Sequence, residues 1–111
     1  MRLESEAVGT FLVVRLAGEF DAAGVEAFRQ AVEEGLGAGE LKSLVVDLRG
    51  VTFLDSSALG ALLGRFRRLS QIGGSMRLLN PSLTVKPILE LSGIYRIMPV
   101  FESEVRALGT R

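Results

Sequence analysis

Apolar residues along the chain fall into short branched runs alternating with longer stripes at three- and four-residue steps. Phe11-Leu12-Val13-Val14-Arg15-Leu16-Ala17-Gly18 is rich in branched and aromatic residues and ends at a glycine, which predicts a strand. Residues 2 to 8 form a weaker strand beside it, joined through Gly9-Thr10 as a hairpin. Asp21 can accept bonds from exposed backbone N–H groups, so it starts a helix with Val25, Phe28, Val32 and Leu36 on one face. Gly35-Leu36-Gly37-Ala38-Gly39 stops it, since glycine tolerates a left-handed turn. Ser43-Leu44-Val45-Val46-Asp47-Leu48 is a nearly continuous apolar run, as expected of a central strand covered on both faces. After Arg49 to Leu54, the segment Asp55-Ser56-Ser57 precedes a second helical stripe, Leu59, Leu62, Leu63, Phe66 and Leu69, closed by Gly73-Gly74. Met76 to Leu79 reads as a strand, Asn80-Pro81-Ser82 as a turn or cap, and Leu83 to Leu91 as a helix ending at Ser92-Gly93. Pro87 interrupts that helix. An interior proline costs ~3 kcal/mol, so the helix either kinks there or begins a residue or two before it. Ile97 to Phe101 is a last short strand, and Glu102 to Leu108 a last helix with acids near its start and Arg106 near its end.

Strands alternating with helices imply an α/β sheet with right-handed crossovers and helices packed on it. With 111 residues, and neither an internal repeat nor a linker, residues 1–111 are expected to form a single domain. An apolar content of 48% argues against intrinsic disorder. Thirteen bases balance thirteen acids, so no global field favours nucleic acid as a direct partner. The balance is uneven along the chain: residues 1–55 carry ten acids and five bases, residues 56–111 three acids and eight bases. The plain reading is that each half neutralises the other across the fold. Arg65, Arg67 and Arg68 are then a solvated helix face, or else secondary candidates for ion pairs with a partner. No apolar run approaches the ~20 residues needed to cross a bilayer, and the N-terminus lacks a secretory pattern, so a cytoplasmic protein without a membrane partner is expected.

The absence of Cys and His removes thiolate or imidazole metal sites, cysteine nucleophiles and triads with an imidazole base. No cofactor or metal is expected. The most informative stretch runs from Val45 to Leu63. Ser56 and Ser57 start a helix there, where unpaired N–H groups and the dipole favour an anion. Small residues at Ala58, Gly60 and Ala61 keep bulk away, so the active site of another protein can approach Ser57. The alternative is that a serine merely caps the helix, worth ~1 kcal/mol, and that Gly60 and Gly64 allow close packing. Ser57 is a poor candidate nucleophile, because the nearby Asp55 is a weak base at its ordinary pKa of ~4. A serine that is a substrate needs no base of its own, because the modifying enzyme brings one. A small enzyme or nucleotide binder is a poor reading: Gly60-Ala61-Leu62-Leu63-Gly64-Arg65 is no phosphate loop with a lysine.

Asp55-Ser56-Ser57-Ala58-Leu59-Gly60 after a Val-Val-Asp-Leu strand resembles the STAS domain, and stand-alone bacterial anti-sigma-factor antagonists most of all. Leu16-Ala17-Gly18-Glu19-Phe20-Asp21 upstream, with Asn80-Pro81-Ser82 and Leu89-Glu90-Leu91-Ser92-Gly93-Ile94 downstream, extends the resemblance over essentially the whole chain. It implies a mixed α/β sheet of about five strands with about four helices packed on it. It also implies partner exchange. The unphosphorylated antagonist binds an anti-sigma factor that is also a serine kinase of the histidine-kinase-like ATPase type, freeing a sigma factor. Phosphorylation ends the complex and a PP2C-type phosphatase resets it. By position the acceptor is Ser57, with Ser56 the fallback; Asp21 and Asp55 flank it, and Asp21, Asp55, Ser56, Ala58 and Gly60 face the partner. Ala58 stands where the pattern most often has glycine, and Pro87 is a second departure. A non-switching STAS subunit of a transport or stress-signalling complex, with Ser57 only a cap, is the second reading.

Overall fold

The structure, a computed structural model, describes every residue except Ala38, Glu40, Thr110 and Arg111. Strands β1 (Arg2–Val8) and β2 (Phe11–Phe20) form an antiparallel hairpin running from Arg2↔Ala17 to Val8↔Phe11. Strands β3 (Ser43–Leu54), β4 (Ser75–Leu79) and β5 (Val100–Phe101) add in sequence, all parallel to β2. The sheet order is β1-β2-β3-β4-β5. Helices α1 (Ala22–Leu36), α2 (Ser56–Gln71), α3 (Lys86–Ser92) and α4 (Glu104–Gly109) connect or follow the parallel strands. The architecture is the mixed five-stranded, four-helix arrangement that the resemblance implied.

Alternation along the strands sorts two cores. Leu12, Val14 and Leu16 of β2, Leu44, Val46 and Leu48 of β3, and Met76 and Leu78 of β4 pack with Phe28 and Val32 of α1 and Leu62 and Leu69 of α2. Phe11, Val13, Val45 and Leu79 form a smaller cluster on the opposite face with Ala107 of α4. β3 is buried from Leu44 to Leu48 because it lies between two neighbours and under both layers. Each buried Leu or Val of this run contributes about 1.5–3 kcal/mol. Two arginines fasten α4 to the second face. Arg77 lies 4.9 Å over the Phe11 ring and 5.6 Å over that of Phe101, and donates to the Ala107 carbonyl. Arg15 bridges Glu6 at 2.6 Å and Glu104 at 2.9 Å.

The structure departs from the sequence reading in the length and phase of several elements. β3 continues through Leu54 because β2 also runs on, to Phe20, and the two extensions pair. Two register shifts, Arg15↔Asp47 to Ala17↔Gly50 and Gly18↔Val51 to Glu19↔Phe53, each insert one extra residue into β3. The first shift reverses the in–out phase, which puts Val51 in the core, and the second restores it, so Leu54 is buried and Phe53 is 47% exposed. Pro87 neither kinks nor breaks α3. The helix begins one residue before it, where the missing N–H would have had no helical acceptor. Residues 83–85 therefore precede α3, and Leu83 and Leu91, the expected bounds of that helix, are exposed. The last strand shrinks to Val100–Phe101 behind a 3₁₀ turn at Ile94–Arg96, and α4 starts at Glu104 rather than Glu102.

Candidate functional site

The register of β2 against β3 brings the starts of α1 and α2 together. Phe20 pairs with Leu54 in the last rung, so the next residues, Asp21 and Asp55, stand side by side at the C-terminal end of the sheet. Parallel neighbours are about 4.8 Å apart. The Asp55 N–H donates to the Phe20 carbonyl at 3.4 Å, tying the two chain exits. Both aspartates are N-caps. The Asp21 carboxylate accepts from Gly24 N–H at 3.0 Å, and that of Asp55 from Ala58 N–H at 3.1 Å. The caps expected at Asp21 and at the Asp55-Ser56-Ser57 segment are thus both aspartates; neither serine caps α2.

Ser56 and Ser57 occupy the first turn of the 16-residue α2 and are exposed. The Ser57 hydroxyl donates to the same Asp55 oxygen, Oδ1, at 2.6 Å. That bond, followed by the Ala58 N–H bond, holds the Asp55 carboxyl below its ordinary range. Asp55 is therefore an even poorer base than an ordinary aspartate. It orients the hydroxyl.

Of the residues expected around Ser57, Asp21, Asp55 and Ser56 gather at this end of the sheet, whereas Ala58 does not face outward. Its side chain is wholly buried in the main core, because a residue three positions after the N-cap turns toward the sheet on this helix. Only its N–H serves the site. Gly60 is exposed, and a Cβ built on it, or on Gly64, meets no atom within 4 Å. Close packing within the chain, the structural reason considered for these two glycines, is therefore absent. Phe53 is the residue the sequence reading missed: its ring is exposed two positions before Asp55, at the end of β3 beyond both register shifts. Nothing in the local sequence marks it, because the two register shifts that together set its facing belong to the pairing with β2. The described residues contain no group of three side chains fit to hold a metal ion.

No helix among the described residues is long and apolar enough to cross a membrane. The STAS-domain family profile matches residues 2–107. An anti-sigma F factor antagonist of Paenibacillus polymyxa is 34% identical over 97% of this chain and 92% of its own. Among solved structures, the anti-sigma factor antagonist SpoIIAA in its unphosphorylated form superposes with a TM-score of 0.83 at 32% identity, covering 96% of this chain and 93% of that one. The Bacillus cell fate determinant SpoIIAA in the phosphorylated form gives 0.77 at 31% identity, covering 97% of both. Fold, element order and sequence agree over nearly the full length: the chain belongs to the STAS-domain family.

Proposed function

We propose that this chain is an anti-sigma-factor antagonist switched by phosphorylation of Ser57. Unphosphorylated, it binds an anti-sigma factor that is also a serine kinase and so frees a sigma factor. The kinase then transfers the γ-phosphoryl group of ATP to Ser57 Oγ: the bond to the bridging oxygen of ADP breaks, an Oγ–P bond forms, and the hydroxyl proton leaves to a base of the kinase. A PP2C-type phosphatase hydrolyses the ester. The chain, acting as one cytoplasmic domain, is substrate and ligand rather than catalyst. The observation that carries this reading is the exposed Ser57 hydroxyl on an open first turn of α2, held by Asp55 and overhung by no side chain at Gly60. Its likeness to a protein solved in unphosphorylated and phosphorylated forms supports it.

Phosphorylation exchanges a donor for an anion of about −1.5 to −2 charges. The bond from Ser57 to Asp55 is lost, and the phosphate is repelled by the carboxylate that had held the hydroxyl. It turns away from Asp55, outward over Gly60, into the space a partner would occupy. Desolvating it there opposes binding without any change of fold. The test is a titration of both forms against the cognate kinase, with the modified peptide located by mass spectrometry. Ser57→Ala binds and resists switching, and Ser57→Asp binds weakly. Equal affinity of the two forms refutes the switch; undiminished labelling of Ser57→Ala moves the acceptor to Ser56.

A further inference from the structure

The second helix carries three arginines that the structure distributes unequally. Arg67 points to one side, into a hollow with Leu63, Phe66, Ser70 and Ile97. Arg65 and Arg68 face the other side, lining a 190 Å³ groove between α1 and α2 whose walls include Val25, Phe28, Ala61 and Gly64. Arg29 of α1 completes the rim, but it is already committed to Glu26 and, at 3.0 Å, to Glu33. Among the described residues Arg65 and Arg68 hold neither a hydrogen bond nor an ion pair. Arg65 is half-buried; burial first, and Arg68 beside it second, push its guanidinium below the ordinary value, with Glu33 the one opposing acid. Arginine stays charged regardless, so the groove holds a cation that lacks full hydration and a hydrogen-bonded carboxylate partner.

We infer that the α1–α2 groove is a second docking point for the anti-sigma partner, taking Asp or Glu side chains of its surface onto Arg65 and Arg68. The inference rests on the proposed function for the identity of that partner. Ser57, Gly60, Gly64 and Arg68 follow at three- and four-residue steps, so they share one side of α2. Arg65 lies about 12 Å along the helix axis from Ser57. Open space at Gly60 and Gly64 lets a partner backbone come close along this path. Guanidinium forks match carboxylates bidentately, and such bonds strengthen where apolar walls exclude water. Two free guanidiniums on a chain of zero net charge are too few for a nucleic-acid backbone, which selects a protein carboxylate as occupant.

The experiment titrates the kinase against full-length wild type, the Arg65→Glu/Arg68→Glu double variant, the neutral Arg65→Gln/Arg68→Gln double variant and Ser57→Asp, at two salt concentrations. Circular dichroism verifies each fold, and the glutamine pair carries the test if the charge reversal does not fold. Charge reversal is expected to weaken binding about tenfold or more and to flatten its salt dependence, with the glutamine pair intermediate. Wild-type affinity and salt slope in both double variants overturn the groove. If Ser57→Asp still binds weakly in that case, the switch survives; if only the arginine variants lose affinity, the groove stands and the switch falls. A wild-type chain that does not bind the kinase overturns both. Self-association of the chain alone, abolished by the double reversal, assigns the groove to a second copy and also overturns the proposal.

Discussion

Replacing Gly60 by alanine should stabilise the fold while weakening its hold on a partner. Glycine in a helix interior costs about 1 kcal/mol relative to alanine, because it loses more backbone freedom on folding. Gly60 is the fifth residue of the 16-residue α2, and a Cβ there meets no atom within 4 Å, so no clash offsets the gain. The expected increment is the full ~1 kcal/mol. With a urea slope of about 1–2 kcal/mol per molar, the unfolding midpoint rises by about 0.5–1 M. The thermal midpoint rises by about 4 °C. Urea unfolding followed by far-ultraviolet circular dichroism measures the first arm, and titration of the anti-sigma factor the second. A lowered urea midpoint refutes the reasoning outright, since Gly60 would then be answering a need inside the fold. A raised midpoint with unchanged partner affinity shows that this side of α2 lies outside the interface.

Gly74→Ala should do the opposite: its Cβ would stand 2.0 Å from the Lys42 carbonyl oxygen, which is backbone and cannot swing aside. A loss of about 2 kcal/mol or more in the same urea assay is expected, and a loss below about 0.5 refutes the close approach. The Asp55 carboxyl, depressed first by the Ser57 hydroxyl, should titrate below 3.8 by carboxyl NMR, and Ser57→Ala should raise its midpoint. Because the folded value lies below the unfolded one, the associated stability is complete above about pH 5 and fades as pH falls through the unfolded and then the folded midpoint. Ser57→Ala therefore reduces the acid-dependent part of stability, and an identical midpoint in both proteins would sink this account. Tyr95→Phe should be neutral to stabilising by up to about 1 kcal/mol, because the Tyr95 hydroxyl is buried without a partner, as its raised pKa also reflects; a clear loss in urea midpoint would reveal a hidden bond.

The order of elements was legible because each carries its own period: branched runs at residues 11–18 and 43–48, and stripes from Val25 to Leu36 and Leu59 to Leu69. Asp21 and the cluster around Ser57 were equally legible, since caps are local chemistry between a side chain and the next turn of backbone. The local sequence allows two outcomes at Pro87 because its effect depends on where the helix starts, and α3 starts one residue before it. The burial of Ala58 follows from how α2 is rotated on the sheet, which its own small side chain does not determine.

Periodicity, capping and composition thus determined the α/β class, the starts of α1 and α2 and the serine pair, because those effects act within a few residues or sum over the whole chain. Tertiary structure alone decided that Asp21 and Asp55 are neighbours, that Phe53 is turned outward, and that Arg65 and Arg68 share a groove without an ion-pair partner among the described residues. Each of these follows from one strand or helix meeting another at a particular register, and register is a property of the pair rather than of either segment.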